Sequence, residues 1–121
     1  GKSKKMINNL DLAPTILNEA GLEAGPDMEG NVITTTEEER EYIYSEDIDQ
    51  REYMVRGERF KLLWNQDQEF SQFFDLKEDP GETNNLWDNP DFQELKKYLL
   101  LKFMWAEMGK ESLLMPRIAG A

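Results

Sequence analysis

The 121-residue chain contains no cysteine and no histidine. Without cysteine there is no disulfide, no thiolate nucleophile and no thiolate metal ligand, and the redox compartment cannot be read from the sequence. Without histidine, the commonest general base and the commonest transition-metal ligand are missing. Any catalysis would fall to carboxylates, lysine, tyrosine or hydroxyls. Positive charge is scarce too: 14 Lys plus Arg face 25 Asp plus Glu, a net charge of -11. Such a surface repels nucleic-acid phosphates and anionic lipid, so neither nucleic acid nor a membrane is expected as a partner. The longest apolar run, "YLLL" followed by "KFMWA", is interrupted by Lys102 and is too short to span a bilayer. No signal peptide is evident, and Gly1 in place of Met points to a processed or cut chain.

What is present suffices for one packed domain. Apolar residues make up 39% of the chain and charged residues 32%, so a core can form while most of the acids stay solvated. The first clear segment, "DLAPTILNEAG", reads as a helix with Asp11 as cap, Pro14 in the first turn and Gly21 as the left-handed stop. Leu12, Ile16, Leu17 and Ala20 form its apolar stripe. A connecting loop follows through "LEAGPDMEGNVITTTEEERE"; Thr36 with Glu39 matches a capping box there, enough for a single turn.

From Tyr42 the period becomes that of strands. "EYIYSED", "REYMVRG", "RFKLLWN" and "FSQFFDL" are short and rich in aromatic and branched residues, with a tight hairpin expected at Gly57–Glu58 and a looser one at "NQDQE". Four strands with hairpin-length links imply an antiparallel meander. Asp79, Pro80 and Gly81 then form a turn, and Glu82 to Leu86 have room for a short helical turn. The strongest helix follows, with Asn89 as cap, Pro90 at the first position, Asp91 near the positive dipole end and Gly109 as its expected end. Phe92, Leu95, Leu99, Phe103 and Ala106 share one face, while Leu100, Leu101, Met104 and Trp105 widen the apolar surface beyond what one sheet can cover. That excess calls for another partner. The closing "KESLLMPRIAGA" has no period and reads as an arm. The fold class expected is α+β, a four-stranded antiparallel sheet with a helix at each end of the sequence.

The chemical candidates are few. Glu46, Asp47 and Asp49 offer oxygens to a hard cation, although a solvated strand end explains them as well. The acids of "DLKEDPGE" lack the alternating ligand spacing of a calcium loop. Arg51, Arg56, Arg59, Lys61 and Arg117 are the available anion grips, with ion pairing to the abundant acids as the plainer use. Trp64, Trp87 and Trp105 can stack on a sugar or fill a core. No phosphate cradle, nucleophile elbow or metal cluster occurs, and no catalytic, cofactor-binding or metal-binding residue is assigned.

"NNLDLAPTILNEAGL", "DMEG", "YSED", "YMVRGERFKLLWN" and "FFDLKEDPGETNNLWDNPDFQELKKYL" together resemble, in order and spacing, the carboxy-terminal portion of the sulfatase family over residues 8 to 105. The family pattern is a "D-x-x-P-T-L-L-x-x-A-G" helix, an "M-x-G" turn, an Arg-containing strand before "Y-K-L-I", and "L-Y-D-L-x-x-D-P-x-E-x-x-N-L". Phe60 and Phe73 stand where the family usually has Tyr, and "GNVITTTEEERE" is shorter than the usual loop.

The resemblance implies a fragment of a sulfuric ester hydrolase in the alkaline-phosphatase-like superfamily. Residues 1–30 would be the edge of a missing catalytic domain, residues 31–121 the C-terminal subdomain, and that missing N-terminal domain the main partner. Calcium and a formylglycine made from the Cys or Ser of a "C/S-x-P-x-R" segment would lie in the missing part. There the hydrated aldehyde attacks sulfur and the alcohol leaves. A periplasmic or secreted location of the parent enzyme is compatible with this reading. Asp75, Asp79, Pro80, Glu82, Asn85 and Leu86 would then form a rigid scaffolding turn. Two alternatives stay open: an independent acidic protein-binding module that self-associates or recruits a partner through its last helix, and a fragment of a related phosphonate or phosphate monoester hydrolase.

Overall fold

A computed structural model of the chain describes residues 5–37, 39–47, 49, 51–66 and 70–110. The closing arm, Arg117 included, lies outside the described residues. Asn8 opens the fold as the cap of a 3₁₀ turn, Asn9–Asp11, which runs directly into helix α1, Leu12–Glu19. Capping therefore falls to Asn8 and not to Asp11, whose carboxylate makes no cap bond to α1. Its oxygens are taken elsewhere: Asp11 sits at the third position of a capping box and accepts the Asn8 N–H at 2.7 Å. Gly21 ends the helix as expected, with φ at 73° and its N–H on the Asn18 carbonyl.

Among the described residues of the 22–41 stretch there are turns and no regular element, and the described residues at Thr36 and Glu39 belong to no helix. The sheet follows: β1 Ile43–Asp47, β2 Glu52–Arg56, β3 Phe60–Asn65 and β4 Gln72–Asp75, all antiparallel and in sequence order. Pairing places Tyr44, Val55, Leu62 and Phe73 in one row across the four strands, with Tyr53 and Trp64 in a neighbouring row of the same face. This is the core face. Val55, Leu62 and Phe73 are fully buried on it, and each such burial stabilises the fold by about 1.5–3 kcal/mol.

Helix α2, Gln93–Lys110, closes that face. The Asn89 side chain accepts the Asp91 N–H at 3.0 Å, and a 3₁₀ turn, Pro90–Phe92, leads into the helix. Leu99 and Phe103 are buried against the sheet, with the Phe103 ring edge-on to Trp64 at 4.7 Å and to Tyr53 at 5.4 Å. Gly109 does not end α2, which continues to Lys110; a glycine within a helix costs only about 1 kcal/mol. The β4–α2 connection departs from expectation in two ways. Its left-handed residue is Glu82, at φ 55°, and not Gly81, and residues 82–86 form no helical turn.

Candidate functional site

Two polar hubs hold the irregular parts of the chain. The first surrounds Asp11, which is 1% exposed. Its carboxylate accepts the N–H of Asn8 at 2.7 Å, the N–H of Asn31 at 2.8 Å, Arg40 Nη2 at 2.7 Å, and Arg40 Nη1. One turn along α1, Thr15 Oγ1 accepts the Ile33 N–H at 3.0 Å and donates to the Asp11 carbonyl. The loop after α1 is thus drawn back along the helix. Gly30 permits the approach: a Cβ there would lie 1.9 Å from the Leu10 carbonyl oxygen. The Arg40 guanidinium, with help from the backbone N–H groups, holds the Asp11 carboxyl down at about 2.

The second hub is the "FFDLKEDPGETNNL" stretch. Asp75 accepts Arg59 Nε at 3.0 Å and Nη2 at 2.7 Å, together with the N–H groups of Lys77 and Glu78. Asp79 accepts the N–H groups of Asn84 at 2.7 Å and Thr83 at 2.8 Å, and the Thr83 hydroxyl at 3.0 Å. Both carboxyls are held below their ordinary range, Asp75 chiefly by Arg59 and Asp79 chiefly by the Asn84 N–H. Asn85 joins this turn to the sheet. Its Oδ1 accepts the N–H groups of Phe73 and Trp87, both at 3.0 Å, and its Nδ2 donates to the Ser71 carbonyl at 3.1 Å. Glu82, in its left-handed backbone, is held by Lys61 Nζ at 2.6 Å.

Between the hubs lies a recess of about 600 Å³ bordered by Lys5, Arg40, Tyr42, Gly57, Glu58 and Arg59. Its guanidinium groups are engaged by Asp11 and Asp75. Burial pushes the Tyr42 phenol up to about 12, so it stays protonated at neutral pH and cannot serve there as a base. The recess is lined chiefly by charged side chains.

The structure does not bring the other sequence candidates together. Glu46 and Asp47 are neighbours on β1 and so point to opposite faces, while Asp47 Oδ1 accepts the Asp49 N–H at 3.1 Å. Among the described residues no group of three or more acids is placed to hold a metal ion. Arg51 pairs with Gln66, Arg59 with Asp75 and Lys61 with Glu82, while Arg56 makes no ion pair among the described residues. Trp64 belongs to the core, Trp87 stacks under Lys96 Nζ at 4.3 Å, and Trp105 is 59% exposed. The sequence reading missed Arg40, because its partner lies 29 residues earlier.

In both hubs the carboxylates are engaged by backbone N–H groups and guanidinium groups that tie irregular segments to the regular elements. The family model for the C-terminal region of N-sulphoglucosamine sulphohydrolase matches residues 1–108. The chain belongs to this sulfatase family. A Δ4,5-hexuronate-2-O-sulfatase of Bacteroides thetaiotaomicron is 30% identical over 98 residues, covering 71% of this chain and 20% of the relative. An N-acetylglucosamine-6-O-sulfatase of the same organism is 30% identical over 115 residues, covering 81% and 20%. The chain therefore spans only about a fifth of the length of these relatives. Among solved structures, one in complex with its substrate D-glucosamine-2-N,6-O-disulfate superposes with a TM-score of 0.68 at 24% identity, covering 81% of this chain and 23% of that one. A 2-O glycosaminoglycan sulfatase gives 0.66 at 23% identity, covering 84% and 25%. The four-stranded α+β fold is that of the sulfatase C-terminal region.

Proposed function

We propose that this chain is the C-terminal part of a larger enzyme that hydrolyses sulfate esters of glycans, and that it shapes one wall of the substrate cleft without turnover of its own. The observation that carries this reading is the family match over residues 1–108 in a chain that has neither Cys nor His. Sulfated sugars as the substrate class are supported by the names of the two curated relatives. Calcium and formylglycine do not fit the residues of this chain, which has no "C/S-x-P-x-R" segment and, among the described residues, no acid cluster for a metal. Both are assigned to the upstream part of the parent.

In this reading residues 1–30 are the edge of that upstream domain. The orientation of α1 supports the assignment, because Leu12 and Ile16 of its apolar stripe are 49% and 67% exposed while Asp11 and Thr15 face the rest of the chain. A helix whose apolar side faces water is suited to lie on another body.

The test is sulfate release from a sulfated glucosamine and from an aryl sulfate, with calcium present, by the full-length parent and by this chain alone. The parent is expected to release sulfate and the isolated chain none. Turnover by the chain, or a silent parent, overturns the reading, and release of phosphate instead assigns the parent to the phosphonate and phosphate monoester branch. A second reading, association of the chain with itself, is favoured by the outer side of α2, where Tyr98, Leu101, Met104, Trp105 and Met108 are all more than 40% exposed.

A further inference from the structure

At the end of the sheet where β2 starts and β3 stops, polar side chains gather around a hollow. Glu52 and Asn65 are cross-strand partners there, and Leu63 pairs with Gln72 on β4, so an acid and two amides share a face with one leucine. Together with Trp64 and Phe70 these residues line a recess of about 250 Å³. Phe70, just ahead of β4, is 68% exposed. Asn65 Oδ1 is buried and has no hydrogen-bond partner among the described residues. A buried acceptor in that state is costly until water or a ligand supplies a donor.

One residue beyond the Glu52–Asn65 pair, at the rim, Arg51 donates to Gln66 Oε1. Its backbone is left-handed, with φ at 53°, an uncommon state for a residue with a side chain and one that recurs where a group is held for binding. Glu82, the other such residue among those described, has the ammonium of Lys61 at 2.6 Å. Arg51 has a neutral amide and makes no ion pair among the described residues.

A sugar ring supplies the complements of these groups. Its C–H face packs on an aromatic ring, and its hydroxyls both donate and accept, as a carboxylate and two amides require. Glu52 inside the recess and the exposed Asp49 in the β1–β2 hairpin repel an oxyanion, so a charged substituent on the sugar is admitted only at the rim, against the forked donors of Arg51.

We propose that this recess is a subsite for one sugar unit of the glycan. Asn65 Oδ1, Glu52 and Gln72 hydrogen-bond its hydroxyls, Phe70 covers its ring, and Arg51 holds an oxyanion on it, either a sulfate or a uronate carboxylate. The proposal deepens the parent-enzyme reading above and rests on it for the class of ligand.

Saturation-transfer NMR with three disaccharides tests it, one carrying only a carboxylate, one only a sulfate and one neither, each added to the 121-residue chain and to the full-length parent. Both charged sugars are expected to bind about tenfold or more tightly than the uncharged one, and the tighter of the two identifies the oxyanion. R51Q should remove that preference, and F70A and N65A should each weaken all three sugars by about tenfold. Equal affinity for charged and uncharged sugars overturns the role of Arg51. The subsite is overturned if neither protein binds any of the three, or if F70A and N65A leave binding in both proteins as it was. Binding is read without sulfate release, so a parent that is inactive on every sulfate ester but loses these sugars in F70A and N65A refutes the enzymatic reading and leaves the subsite standing.

Discussion

A carboxylate that is 1% exposed and ringed by four donors gives up its proton readily, and Asp11 illustrates what that does for a fold. Its folded pKa of about 2 lies below the ordinary 3.8, so ionised Asp11 contributes stability at every pH above about 4. That contribution is lost as the pH falls from about 4 through about 2, and its full size is about 2 kcal/mol. Asp11→Asn should therefore lower stability at neutral pH and flatten the acid limb between those values. Urea unfolding measured across that range checks it; an unchanged acid limb would mean that Arg40 and the backbone donors do not discriminate between the ionised and neutral groups. None of this was visible in "DLAPT". An Asp ahead of a helix reads as a cap, and the alternative depends on Arg40 and Asn31, which only the folded loop delivers.

At the scale of elements, local chemistry was enough to place α1, the four strands and α2 close to their observed limits. Alternating aromatic and branched residues separated by turn residues leave few other arrangements for residues 42–76. Long-range effects decided the rest. The apolar stripe of α1 was legible, but its outward direction was not, because the stripe is the same whichever side is buried. The scaffold role of the β4–α2 turn was also legible, but not which of the adjacent Asn84 and Asn85 does the joining, since the two side chains are identical and only the position of β4 distinguishes them. Asn85→Ala should strand the N–H groups of Phe73 and Trp87 and the Ser71 carbonyl at the end of β4, with a loss of about 2–3 kcal/mol. Asn85→Asp keeps the acceptor and should recover part of that loss, and chemical denaturation of both variants measures the difference. Asn84→Ala removes no side-chain bond to the sheet and is the control.

For the molecule as a whole, the order of weak motifs along the sequence gave its family. The sequence could not show how the surfaces are shared out. The outer stripe of α1 and the outer side of α2 both carry exposed apolar side chains. The strong negative charge opposes close approach of two copies at low salt and less so as salt screens it.

Trp105, far out on α2, turns this surface into an optical reporter. Its indole meets water, whereas Trp64 is wedged edge-on against the Phe103 ring at 4.7 Å, so the native emission should contain a red component from the first and a blue one from the second. Raising the concentration of the chain at moderate salt should move the red component toward shorter wavelengths if two copies meet through α2, and Trp105→Phe should abolish that movement. A spectrum that never changes with concentration would mean the indole stays wet and the last helix greets no second copy.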